Sequence, residues 1–346
     1  MALNLLRLRA QAMIPRYYKT WDEETTVLRH WLKKAQREFK LTTFDGVPLA
    51  INSSGIRLHG IENTEREKKL IIKLGNSMPL TSEFRDYFRL LSDIVCRFYF
   101  PHLLPNLCPM YLQSPSPKEA YMEGFHGQHR DSVSHISNST LRRKITKIFE
   151  PSVDDVIIDC GAYIGLGALA ASLNLSRGKI FAVEPDQKCF EVLSRNITAN
   201  KVNNIVPIQN AVWSESNLSM ELASAGAQSN SLVPQIILAT KRDYVQQAVI
   251  TKSIDDLVAE QNLNRVDMIS LTINGAEPSA LKGADITLRN FRPRVRLAGW
   301  YRLQGKPIAE ICREMLETYN YSVYKGSRNG VLAVPLEKLN IDSSSS

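Results

Sequence analysis

The chain has 346 residues, 44% hydrophobic and 23% charged, the composition of a globular protein with ample core material. Its longest apolar runs fall far short of the roughly 18–20 residues that span a bilayer. Five scattered cysteines (Cys96, Cys108, Cys160, Cys189 and Cys312), with no CxxC pair, exclude a disulfide framework or zinc site of regular spacing and are read as free thiols in a cytoplasmic setting.

The charge is uneven. Residues 1–150 hold 23 Lys+Arg against 15 Asp+Glu, an excess of 23 − 15 = 8, which equals the +8 of the whole chain, so the remainder is balanced. A basic N-terminal part is suited to an anionic acceptor, an anionic surface or nucleic acid, and equally to plain solvation. Met1 to Tyr18 carries arginines and leucines but no acid. It is too short and too charged for a secretory signal and is read as a docked helix, with a targeting or interfacial helix as the other options.

In chain order, Glu23 to Phe39 shows a helical apolar stripe, and Leu41 to Ile51 places Asp45-Gly46 between β-prone residues, a hairpin signal. Ser82 to Tyr99 is a second helical stripe, and Pro101 to Pro117 reads as a connector. After Pro151 the pattern changes. Strands are expected at Val156–Ile158, Ile180–Val183, Ile205–Ile208, Met268–Leu271 and Val295–Ala298, with helices at Leu166–Leu173 and Cys189–Ile197. Tyr321–Tyr324 and Val331–Val334 read as a closing hairpin. Strands alternating with helices imply parallel βαβ units, which bind ligands at the carboxyl ends of their strands.

Four motifs sit at those ends. In Asp159-Cys-Gly161-Ala162-Tyr163-Ile-Gly165 a strand runs into a glycine turn and a helix, where the missing side chains let backbone approach a ligand; by itself the pattern also fits a structural turn. Glu184-Pro185 follows the next strand, 184 − 159 = 25 residues on, where an acid can accept hydrogen bonds from ribose hydroxyls. The absence of a pyrophosphate loop favours a nucleoside cofactor without phosphates, S-adenosyl-L-methionine, over a nicotinamide dinucleotide. Asn210-Ala211 ends the third strand, on the adenine side or as a simple turn. Ser270-Leu-Thr272-Ile-Asn274-Gly275-Ala276-Glu277 ends the fourth, where methyl donor and acceptor would meet.

Taken together, VIIDCGAYIG…FAVEP…NAVWS…SIDDL…VDMISLTINGAE…ALKGA…RPRV resembles the FkbM family of methyltransferases over about Asp154 to Val334. The resemblance implies a Rossmann-like, seven-stranded class I methyltransferase sheet of α/β class with an N-terminal mixed α/β extension. It implies S-adenosyl-L-methionine as cofactor and O-methylation of a sugar or natural-product hydroxyl. Asp159, Gly161, Ala162 and Gly165 would hold the methionine end, Glu184 the ribose, and Asn210 with Ala211 the adenine side, with Tyr163 and Pro185 also among the cofactor-binding residues. The family's fourth motif commonly reads Lys-Ile-Asp-Val-Glu-Gly-Ala-Glu. Here Ser270, Thr272 and Asn274 replace its first three charged groups, and Tyr163 stands where Asn is common.

Neither Thr272 nor Asn274 is a base, although both can orient an acceptor. A base must then come from Glu277 or from Glu123, His126, His129 or His135 upstream, histidine being suited to proton transfer near neutrality. Otherwise the acceptor, an anionic oxygen or an amine, needs no strong base. His126-x-x-His129 lacks the further ligands of a metal site. Trp300-Tyr301-Arg302 is read as closing the fifth strand and walling the acceptor pocket, with core packing as the competing reading of Trp300. A cofactor-binding protein without turnover is the main rival, on the strength of the neutral fourth motif. Nucleic acid as acceptor ranks behind it, since no RNA-binding motif is recognisable. The expected organisation is 1–145 for acceptor recognition or an oligomer contact, 146–340 for the methyltransferase domain, and 341–346 as a disordered tail.

Overall fold

The computed structural model describes residues 37, 39–52, 55, 57–61, 87, 90, 136–172, 174–224, 230–239, 244–299, 301–325 and 330–339. The expected helices within 23–39 and 82–99, the connector 101–117, the N-terminal segment, Glu123, His126, His129, His135, Trp300 and the tail lie outside them, apart from single residues. The chain divides into two compact units, residues 1–127 with 194–201, and residues 128–193 with 202–346.

In the first unit, β1 (Phe39–Phe44), β2 (Val47–Asn52) and β3 (Arg57–His59) form an antiparallel sheet. Phe39, expected to end a helix, opens β1. Asp45 and Gly46 both have positive φ, 50° and 75°, so their two-residue turn is of the kind that matches strand twist and joins Phe44 to Val47. Two asparagines of the 194–201 segment then mimic a neighbouring strand. Asn196 Oδ1 accepts from His59 N at 2.5 Å and its Nδ2 donates to His59 O at 3.2 Å, while Asn200 does the same for Arg57 at 2.9 and 2.6 Å.

The second unit runs α1 (Ser139–Ile148), β4 (Val156–Cys160), α2 (Leu166–Ser172), β5 (Lys179–Val183), α3 (Gln187–Ala199) and β6 (Ile205–Ile208). The last turns of α3 belong to the first unit. Next come β7 (Ala211–Val212), β8 (Ser219–Ser224), α4 (Pro234–Ala239), β9 (Val245–Lys252), α5 (Ile254–Glu260) and β10 (Met268–Leu271). Then follow α6 (Glu277–Lys282), α7 (Asp285–Asn290), β11 (Arg294–Ala298), β12 (Arg302–Leu303), β13 (Lys306–Pro307) and α8 (Ile308–Glu317). The unit closes with β14 (Tyr321–Lys325), β15 (Gly330–Pro335) and α9 (Leu336–Leu339).

Seven strands form one sheet in the order β14-β15-β11-β10-β4-β5-β6. The five from β11 to β6 are parallel, and β15 inserts between β11 and β14, antiparallel to both. This is the expected α/β class. The interior is apolar because helices cover it: Ile158, Phe181, Ile269, Leu271, Val295 and Leu297 meet Leu257, Leu281, Leu288 and Leu316 in one cluster. In α8 the buried residues Ile308, Ala309, Cys312 and Leu316 recur at helical spacing. Cys160, Cys189 and Cys312 are buried free thiols. The amino ends of the strands are fastened by charge. Arg294 pairs with buried Asp155, which also accepts from Ser152 N at 2.8 Å, and Asp267 accepts from Val156 N at 2.8 Å. Outside the main sheet, β9 pairs parallel to β7 and antiparallel to β8. No helix among the described residues is long and apolar enough to cross a membrane.

Candidate active site

The carboxyl ends of β4, β5 and β10 are tied together at Gly161. Its N–H and that of Ala162 both donate to Val183 O, at 2.9 and 3.0 Å, and Thr272 N donates to Cys160 O at 2.9 Å. Gly161 has φ +84°, and a Cβ there would lie 2.3 Å from Thr272 O. Gly165, also at φ +84°, opens α2 where a Cβ would lie 2.5 Å from Leu193 Cδ1. The space that each glycine spares is therefore filled by protein, not left for a ligand.

Glu184, just beyond β5, is buried. Its Oε2 accepts from Tyr163 N at 2.8 Å and its Oε1 from Asp186 N at 3.0 Å. Tyr163 takes the left-handed conformation, φ 55°, that turns this N–H toward the acid. Burial pushes the Glu184 carboxyl up to about 8; the two backbone N–H groups oppose the rise, and the nearby Asp186 and Asp159 carboxylates add to it. A carboxylate has about four lone-pair sites, so two N–H donors leave acceptor capacity for a ligand. Asp186 has a different task. It accepts from Cys189 N at 2.9 Å, capping α3, and from Ser224 Oγ at 3.1 Å.

At the end of β10 the chain turns through Asn274 (φ 49°) and Gly275 (φ 112°). A Cβ on Gly275 would lie 1.9 Å from Ile236 Cδ1. Fully buried Glu277 braces this turn from within, accepting from Ile273 N at 3.1 Å and Gly275 N at 2.8 Å. Burial raises its carboxyl to about 7, against the pull of those N–H groups. Asn274 reaches the other way: its Nδ2 donates to Asn230 O at 2.8 Å, and its carbonyl accepts from Ser231 Oγ at 2.7 Å.

Residues 159–323 match the family model described as the Methyltransferase FkbM domain. This segment is an FkbM methyltransferase domain. The match begins at Asp159 and ends inside β14, so it takes in the whole cluster of strand ends described above. Among curated proteins, the chain is 26% identical over 155 residues to methyltransferase sdnD of Sordaria araneosa, covering 37% of this chain and 60% of that protein. Among solved structures, methyltransferase FkbM of Methylobacillus flagellatus KT aligns at TM-score 0.39 and 16% identity, over 78% of this chain and 58% of that one. A SAM-dependent methyltransferase from Aquifex aeolicus aligns at TM-score 0.33 and 12% identity, over 59% and 97%.

Within the FkbM domain, Asp159, Gly161, Ala162, Tyr163, Gly165, Glu184 and Pro185 cluster where β4 and β5 end, and Thr272 and Asn274 lie at the neighbouring end of β10. Asn210 precedes β7, which Ala211 opens, and its Nδ2 donates to Ile250 O at 3.1 Å, fastening the end of β6 to β9. Three further residues are placed as follows. Ser270 belongs to the strand interior, fully buried, and accepts from Arg296 Nη2 at 3.1 Å. Glu277 is fully buried behind its own turn, where each oxygen accepts from a backbone N–H. Arg302 does not extend β11; it lies in the β12–β13 hairpin, exposed, and donates to Gly305 O. Sequence reasoning missed Asp186, although an Asp just before a helical run is a capping signal, and it missed Asn230 and Ser231, which carry no local signal.

Proposed function

We propose that the FkbM domain binds S-adenosyl-L-methionine across the carboxyl ends of β4, β5 and β6 and methylates a hydroxyl of a sugar or natural product. The observation that carries this is Glu184: a buried carboxyl group, fixed by two backbone N–H groups and with acceptor capacity left over, beside the glycine turn of β4. That donor set fits a nucleoside with free ribose hydroxyls. The bound cofactor supplies an electrophilic methyl group on its sulfonium. The chain supplies position and electrostatics.

In this reading the backbone of Asp159, Gly161, Ala162, Tyr163 and Gly165 borders the methionine end. Glu184 and Pro185 border the ribose, and Asn210 and Ala211 the adenine side. Thr272 and Asn274 hold the acceptor near the end of β10 through neutral hydrogen bonds. Glu277 shapes the turn that carries Asn274. The proton of an attacking hydroxyl then needs a base from elsewhere, and His126 and His129 are the sequence candidates. The neutral side chains of Thr272 and Asn274 at the end of β10 favour one alternative, an anionic or amine acceptor that attacks without a base.

Incubation with S-adenosyl-L-methionine labelled in its methyl group, against a panel of sugar and polyketide hydroxyls, carboxylates and amines, tests the reading. Label recovered as an alkali-stable ether supports it. Label found only in esters or N-methyl products replaces it with the alternative.

A further inference from the structure

Asn230 is 8% exposed, and neither its Nδ2 nor its Oδ1 has a hydrogen-bond partner. Among the described residues it is the one asparagine in that condition. Buried polar side chains are nearly always paired, and an exception calls for a ligand, a water or an ion. Asn230 is not a loosely held residue. Its carbonyl accepts from Asn274 Nδ2 at 2.8 Å, and the next residue, Ser231, exchanges backbone hydrogen bonds with Ala223 at 2.9 and 3.0 Å and donates its hydroxyl to Asn274 O at 2.7 Å. The backbone is clamped while the amide is left unmet.

The clamp lies at a defined place. Asn274 follows β10, and Thr272, two residues earlier, is the residue whose carbonyl a Cβ on Gly161 would strike at 2.3 Å. Asn230 is thus fastened to the strand end that abuts the glycine turn. In the sheet order β10 flanks β4 on one side and β5, which carries Glu184, flanks it on the other. A nucleoside held through its ribose at Glu184 would have β4 and then β10 beside it, so a 5′ substituent that extends across β4 would reach the Asn230 end.

We infer that the Asn230 carboxamide binds the α-amino-acid head of S-adenosyl-L-methionine, an assignment that rests on the cofactor reading above. The head is a zwitterion. Its carboxylate needs donors and its ammonium needs acceptors. A carboxamide is a neutral side chain that offers both, through Nδ2 and Oδ1. A neutral amide adds no charge beside the carboxyl groups of Asp159 and Glu184, which lie close enough for Asp159 to act on Glu184.

The test compares two ligands by calorimetry on wild type, Asn230→Ala and Asn230→Ser. S-adenosylhomocysteine carries the head; 5′-methylthioadenosine has the same nucleoside and lacks it. Loss of one or two hydrogen bonds to charged groups predicts that both variants bind S-adenosylhomocysteine roughly tenfold or more weakly. Binding of 5′-methylthioadenosine should change less than about twofold. Because the amide bonds to no protein atom, the unliganded variants should melt no lower than wild type. Equal losses for both ligands would overturn the assignment, as would unchanged binding of S-adenosylhomocysteine, which would give the amide to the acceptor instead. A lowered melting point in both variants would make its role structural. Failure of the wild type to bind either ligand would instead remove the cofactor reading itself.

Discussion

Replacing Gly161 with alanine tests how tightly the strand ends are locked. Two costs add. Alanine is disfavoured at φ +84° by about 1–2 kcal/mol, because its Cβ approaches its own carbonyl. The same Cβ would lie 2.3 Å from Thr272 O, a backbone atom at the end of β10 that can yield only by disturbing the β4–β10 pairing. Overpacking of that kind costs about 1–3 kcal/mol, so the sum is roughly 2–5 kcal/mol. Gly305→Ala is the control: its φ is +80°, but nothing lies within 4 Å of the added Cβ, so only the first cost applies. Urea unfolding of both variants, with S-adenosylhomocysteine affinity measured alongside, separates the two contributions. Gly161→Ala should be the less stable by at least about 1 kcal/mol and should bind the ligand more weakly, while Gly305→Ala should bind normally. Equal destabilisation of the two would refute the idea that Gly161 is required by its contact with Thr272.

Two further outcomes follow from the buried acids. Glu184 and Glu277 have carboxyls raised from 4.5 to about 8 and about 7, so between pH 5 and 8 the native state holds protons that the unfolded chain has released. Stability of the unliganded protein should therefore fall as pH rises through that window, and level off beyond it. For Glu184, at about 1.4 kcal/mol per pH unit over the span from 4.5 to about 8, the loss reaches roughly 5 kcal/mol at most, and Glu184→Gln should remove that share of the slope in urea titrations at pH 5 and 8. A variant slope equal to wild type would contradict it. Glu277→Ala strips two backbone N–H groups of their acceptor in a buried turn, and at about 1–3 kcal/mol each should lower stability by roughly 2–6 kcal/mol. A loss under about 0.5 kcal/mol would show the turn to be held by other means.

Much of the sheet was legible because its strands are short apolar runs with their own boundaries. Val156–Ile158, Ile180–Val183, Ile205–Ile208 and Met268–Leu271 are set apart by glycines, acids and helical stripes, and the structure places a strand on each. Asp45-Gly46 likewise specified its hairpin through local conformation. The pairing of the last two strands with each other was also readable. The insertion of β15 between β11 and β14 was not, because it depends on contacts with a strand more than thirty residues earlier in the chain. β9 escaped notice because Val245, Gln246, Ala248 and Ile250 face outward and break the buried pattern expected of a strand. β11 shows the opposite difficulty: Arg294 and Arg296 look like surface residues in sequence and are buried in the sheet by Asp155 and Ser270.

The site divides in the same way. Glu184 could be found because a strand, an acid and a proline occur in series. Glu277 was readable as an acid but not as a brace, since its N–H partners become visible only once the turn through Asn274 is closed. Asn230 lies far from every motif in sequence, and a side chain of Asn274 brings it to the end of β10.

The most direct test of the account is calorimetric titration of the intact protein with S-adenosyl-L-methionine and S-adenosylhomocysteine, beside Glu184→Ala. Micromolar binding of both by the wild type, lost in the variant while its unfolding remains cooperative, is the predicted result. A folded wild type, shown to carry no cofactor from its host, that binds neither compound would contradict it, and the glycine turn and the buried acid would then be elements of the fold alone.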